Sequence, residues 1–168
     1  IYYHMLNSGL RLPPSAGSAS GVLPNPVGYN RVYVHLEEPF SEDAWFRGLS
    51  GGRCFVTNGP LLLVTANGLD PGGVIKLNPS ERKSIDVQIQ LTSHDPVSNI
   101  EIIQNGNISQ TIPCSDKLIQ SHAFQLSVDE PGWLLVRAIA DVENTFRFAT
   151  TAPWFIESDE VKNHISRR

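Results

Sequence analysis

Between residues 84 and 92 the chain reads Ser-Ile-Asp-Val-Gln-Ile-Gln-Leu-Thr, four aliphatic side chains strictly alternating with polar ones. A period of two puts Ile85, Val87, Ile89 and Leu91 on one face, which predicts a half-buried antiparallel strand. Residues 31–36 alternate in the same way, with Val32, Val34 and Leu36 opposite Tyr33 and His35, and residues 122–128 do so through Phe124, Leu126 and Val128. Residues 133–140 are apolar almost throughout, as a central strand covered on both faces requires, with residues 146–150 predicted to pair beside it. Residues 53–57 and 61–66 read as strands around Asn58-Gly59-Pro60, the second followed by Asn67-Gly68. Residues 99–104 and 108–112 face each other across Asn105-Gly106, whose two positions tolerate positive φ in a two-residue hairpin. About eight or nine strands at this spacing predict a mainly β fold, an immunoglobulin-like antiparallel β-sandwich.

One short helix interrupts the pattern. Ser41 can cap it, Glu42 and Asp43 suit its positive end, Phe40 can staple onto Trp45, and Gly51-Gly52 stop it. At two to three turns it needs packing, and Trp45, Phe46 and Leu49 are the residues expected to supply it against the sheet. Residues 1–30 hold four prolines and four glycines with no sustained apolar spacing. They are expected to form a long irregular segment, the remnant or edge of a preceding domain, before a sandwich over 31–156 and a tail over 157–168. Ile1 opens without an initiator methionine or a leader, so the chain is read as an excised fragment.

Composition narrows the classes. Of 168 residues, 40 % are apolar and 18 % charged, which favours a packed core over disorder. The net charge of −4, with no basic block longer than Arg167-Arg168, argues against nucleic acid as a partner. No apolar run is longer than that of residues 61–64, which is strand-sized, so no membrane span is expected. Low charge and many strands lean towards a bacterial envelope, periplasmic or extracellular setting. Cys54 and Cys114 are too few for a disulfide framework and too far apart for a zinc knuckle, and read as free thiols inside the core.

Candidate chemistry is sparse. His4, His35, His94, His122 and His164 fall in no metal-binding spacing, and His94-Asp95 before Pro96 reads as a turn rather than an acid–base pair. Residues 17–21, Gly-Ser-Ala-Ser-Gly, have alanine where a nucleophile elbow needs serine and lack the lysine of a phosphate loop. Trp45 and Trp133 read as packing residues. Trp154, beside Pro153, and Tyr33 are the aromatic side chains nominated for stacking on a sugar. Arg137, within an apolar strand, requires a carboxylate, from Asp141 or a neighbouring strand. Asn107-Ile108-Ser109 matches a glycosylation acceptor.

Four segments carry a family likeness: Tyr-His-Met-Leu-Asn-Ser-Gly-Leu-Arg-Leu over 3–12, Pro-Ser-Ala-Gly-Ser over 14–18, Pro-Val-Gly-Tyr-Asn-Arg-Val-Tyr-Val over 26–34, and Gly-Arg-Cys-Phe-Val-Thr-Asn-Gly-Pro over 52–60. Together they resemble the C-terminal region of CehA/McbA-like metallohydrolases, a branch of the polymerase-and-histidinol-phosphatase (PHP) superfamily. The resemblance spans roughly residues 3–68 and continues loosely through Gly132-Trp133 and Thr151-Ala152-Pro153. It implies a metal-binding domain ending near a Gly-Ser-Asp segment, followed by a β-rich domain. Where that segment would offer an aspartate, and a histidine two residues on, this chain has Ala19 and Gly21. A methyl group cannot coordinate a hard cation, so the metal-binding core is missing and no catalytic or metal-ligating residue is assigned.

The expected role is therefore a non-catalytic accessory domain, without a cofactor, packing against an N-terminal catalytic-type domain of the same parent chain. Asn30, Arg31, Thr57, Asn58 and Gly59 are the polar groups placed at that junction. The expectation includes an exposed apolar strip of Tyr2, Tyr3, Met5 and Leu6 for the parent domain to cover. The alternative is a carbohydrate-binding or adhesion module, which calls for two exposed aromatic side chains on one face.

Overall fold

The computed structural model describes residues 1–22, 24–77, 84–128, 130–143 and 145–158; His164 and most of the expected tail lie outside them. Two sheets pack face to face. The smaller places β5 (Ser84–Thr92) between β3 (Leu61–Ala66) and β8 (Ile119–Ser127). On β5 the four aliphatic side chains are at most 1 % exposed, while Asp86, Gln88 and Gln90 face outward. Each such burial contributes roughly 1.5–3 kcal/mol, which fixes the register, since a slip of one residue would turn all four into water.

The larger sheet is built around β9 (Gly132–Ala140), whose even positions, Leu134, Val136, Ala138 and Ala140, point into the core between the sheets. On one side β9 pairs with β6 (Val97–Gln104), which forms a hairpin with β7 (Asn107–Pro113) across Asn105-Gly106, both at positive φ. On the other side its partner changes partway. β10 (Arg147–Thr151) pairs with residues 137–140 and β11 (Trp154–Ser158) with residues 132–134. Val136 N–H, at the change, donates to Thr151 Oγ1 at 3.1 Å, so no ladder bond is left open there. β10 continues to β2 (Cys54–Thr57) and then to the edge strand β1 (Arg31–Val34); β11 continues to β4 (Val74–Leu77), the single parallel pairing among the described residues.

Strands β4 and β11 are additional to those read from the sequence. Each is four or five residues long, too short to display a period, and each is held by its partner rather than by its own pattern.

The outer face of the larger sheet is covered by residues that precede it. Helix α1 (Tyr2–Asn7), where an irregular segment was expected, lays Leu6, 2 % exposed, on Ile103, Trp133 and Leu135, with Tyr2 and Tyr3 packed alongside. The expected exposed strip is therefore corrected: Leu6 is buried, Tyr2 and Tyr3 are half-buried, and Met5, at 36 %, is exposed. Asn7 pins the helix, accepting a hydrogen bond from Trp133 Nε1 at 2.8 Å and donating to the Asn105 carbonyl at 3.3 Å. Beyond it Arg11 lies over the Phe155 ring and pairs with Glu157 at 2.5 Å, and the Pro14 carbonyl meets the Cys54 thiol. Beside α1, Arg137 finds its carboxylate on the neighbouring strand: Nε donates to Glu101 at 2.8 Å.

The second helix, α2 (Glu42–Ser50), is capped as expected, with Ala44 N–H donating to Ser41 Oγ at 3.1 Å. Its packing face is only partly the expected one: Trp45 and Leu49 are half-buried, but Phe46 is not. Ala44 and Gly48 are buried, whereas Phe40 and Phe46 are 76 % and 61 % exposed. A Cβ at Gly48 would lie 2.5 Å from Val34 Cγ1, so the helix backbone sits directly on β1 at this glycine.

Candidate functional site

The unequal widths of the sheets create a groove at the surface. The small sheet ends at β3, and the inner face of β1 and β2 runs past it uncovered. Because Tyr33 is paired with Phe55 and His35 N–H bonds the Arg53 carbonyl at 2.8 Å, Tyr33, His35, Arg53 and Phe55 form a two-by-two array on that overhang. This array and the edge of β3 enclose an open groove of about 500 Å³, within the range of small-molecule sites.

The groove is mostly apolar. Tyr33 stacks in parallel on Phe55, ring centroids 5.0 Å apart, so Phe55 stays in the core while Tyr33 remains 42 % exposed. Leu61 and Leu63, at 39 % and 57 %, stand on the facing edge. The polar groups are few. His35 Nδ1 meets Asp70 Oδ2 at 2.5 Å, joining the end of β1 to the turn before β4. Gln88 and Gln90 border the far side. Arg53 has no side-chain hydrogen bond or ion pair among the described residues, and its Nε is shut off from water without a partner.

The sequence nominated two aromatic residues for sugar stacking, and the structure separates them. Tyr33 lines the groove. Trp154 does not: it is fully buried between the sheets, and its indole N–H donates to the Leu69 carbonyl at 3.0 Å. The sequence signal failed because residues 154–158 were not recognised as a strand, whose pleat turns Trp154 inward.

The five junction residues are brought together at the other end of β1 and β2, where Arg31 faces Thr57. Their polar groups mostly bind one another and the adjoining loops. Asn30 N–H donates to Ser18 Oγ at 3.0 Å, which fastens the Gly-Ser-Ala-Ser-Gly loop to the start of β1. Arg31 Nη1 donates to the Gly28 carbonyl. Thr57 Oγ1 donates to Pro60 at 2.6 Å and accepts from Gly59 N–H, while Asn58 bonds the backbone of Phe146 and Phe148. Arg147 closes the corner on Asp95 at 2.6 Å and lies against Gly59, where a Cβ would come within 3.2 Å of its own. Asp95 is thus engaged by Arg147, and His94 beside it is almost wholly in water.

Reactive groups elsewhere are subdued. Cys54 is buried and Cys114 half-buried, both free, and burial pushes the Cys54 thiol up to about 11. Among the described residues no three His, Cys, Asp or Glu side chains come together to hold a metal ion, and no helix is long and apolar enough to cross a membrane. No family model, curated protein or solved structure matches the chain.

Proposed function

We propose that this chain is a non-catalytic, immunoglobulin-like accessory domain of a larger metallohydrolase-like protein, packing against an N-terminal catalytic-type domain and shaping the mouth of its pocket. A periplasmic or extracellular setting belongs to the same reading. The observation that carries it is the groove: Tyr33, Leu61 and Leu63 leave an apolar surface open to solvent beside a single imidazole–carboxylate pair, which suits contact rather than turnover. Ala19, at φ 49° in a loop tied to Asn30, offers no ligand where the resemblance calls for one.

The test uses the chain joined to whatever its gene encodes before Ile1. Paired histidine and carboxylate ligands there, with Leu63→Asp lowering kcat/KM at unchanged metal content, support the reading. One equivalent of zinc, manganese or iron bound by residues 1–168 alone, with turnover lost on a single internal substitution, overturns it.

A second reading, a carbohydrate-binding module, is favoured specifically by Tyr33, whose free ring face can stack on the apolar face of a pyranose. Titration of the purified chain with neutral and acidic oligosaccharides tests it, and chemical-shift changes confined to Tyr33 and its neighbours are the expected result.

A further inference from the structure

Arg53 is the least satisfied charged group on the groove. A guanidinium carries five donors in a planar fork, and one held against protein with Nε cut off from water normally has a carboxylate or carbonyl in front of it. Here it has none among the described residues. The single carboxylate lining the groove among the described residues, Asp70, is already engaged by His35 at 2.5 Å. The groove therefore holds, among the described residues, one hydrogen-bonded acid and one unpaired base, beside a flat, half-exposed ring.

We propose that the groove is a subsite for an acidic sugar, a hexuronate whose ring lies on Tyr33 and whose carboxylate is held by Arg53. This rests on the carbohydrate-binding reading above and adds to it the charge of the ligand. The chemistry is complementary on both counts. A pyranose presents a flat patch of C–H groups to an aromatic face, and a carboxylate accepts two N–H bonds from the Nη pair of a guanidinium, the donors left to Arg53 with its Nε closed off from solvent. Tyr33 and Arg53 stand on adjacent strands of the same overhang, on the same face, so one ring with one attached carboxylate can engage both. Leu61 and Leu63 on the facing edge add apolar surface for the C–H groups of the ring.

The experiment titrates the whole chain with an oligogalacturonate and with the same oligomer fully methyl-esterified, which keeps the ring faces and removes the charge. The acid is expected to bind about tenfold more tightly than the ester, a difference of roughly 1.4 kcal/mol, and to weaken with added salt. Arg53→Gln removes that preference, weakening the acid about tenfold more than the ester; Arg53→Lys restores part of it; Tyr33→Ala weakens both ligands. Equal binding of acid and ester, or an unchanged preference in Arg53→Gln, overturns the carboxylate assignment while leaving the carbohydrate reading intact. Failure of both oligomers to bind overturns both. Tighter binding of an acidic peptide than of the uronate assigns Arg53 to a protein partner and overturns the sugar.

Discussion

Cys54 sits on β2 with its side chain 3 % exposed, and the thiol faces the Pro14 carbonyl across 3.7 Å. Burial disfavours the thiolate, which is why the group titrates near 11 rather than at its ordinary 9.0. The sign of the linkage follows. The folded chain prefers the protonated thiol, so the stability this group supplies is complete below pH 9 and is lost as pH rises towards 11, by about 2–3 kcal/mol at most. Tyr2, whose phenol burial also raises, acts in the same direction at still higher pH. Chemical denaturation at pH 8 and pH 10.5 is expected to show the loss, and Cys54→Ala to flatten it. In native protein at pH 8 a thiol reagent is expected to label the more accessible Cys114 first. The Glu101–Arg137 pair makes a second residue-scale prediction. Glu101→Ala leaves a half-buried guanidinium beside α1 and is expected to cost about 1–3 kcal/mol in urea unfolding, more than Glu101→Gln.

At the scale of elements, contact distance decides which helix face is buried. Gly48 lets α2 lie on Val34, and Gly48→Ala would force a Cβ into a 2.5 Å contact with Val34 Cγ1 and a 3.2 Å contact with the His35 carbonyl. Overpacking of this kind costs about 1–3 kcal/mol, while alanine returns about 1 kcal/mol of helix propensity. The expected net effect is a modest loss of thermal stability. Val34→Ala should cost less in the Gly48→Ala background than in the parent, and additive costs would show that the two do not touch. The same example marks the boundary of what was legible. Alternation in residues 84–92 revealed β5 completely, since a half-buried strand writes its environment into every second residue. Asn105-Gly106 revealed the β6–β7 turn for a similar local reason. Helix α1 was not legible: Ile1 gives no side-chain cap, and six residues cannot hold a helix without the sheet beneath them. Phe46 misled because its apolarity says nothing about where a glycine allows the backbone to approach. Of the groove, Tyr33 was visible in the sequence as an aromatic on the polar side of β1. The meeting of His35 with Asp70, and the isolation of Arg53, depend on which sheet ends first, and no local pattern encodes that.

For the whole molecule the controlling asymmetry is one broad sheet against one narrow sheet. A broad sheet has more apolar surface than the narrow sheet can cover, on either side. The inner excess becomes the groove at Tyr33; the outer excess is closed by residues 1–14, which run from Ile103 and Trp133 across Phe155 to Cys54. Those residues thus do for this sheet what a third layer does in larger folds. Removing them would expose Trp133, Leu135 and Ile103, now at most 2 % accessible, at a cost of the order of 5 kcal/mol, a large share of what a domain this size possesses. The truncated chain is expected to melt about 10 °C lower or more, with red-shifted tryptophan emission. Should truncation prevent folding altogether, Asn7→Ala gives the graded version. It deletes the acceptor for Trp133 Nε1 and is expected to loosen α1, with faster amide exchange in residues 2–7 and in the Asn105 turn at nearly unchanged exchange in β5. An unchanged melting temperature in the truncated chain, together with unchanged exchange in Asn7→Ala, would mean that the segment merely rests on the sheet, and that its covering layer lies in another domain.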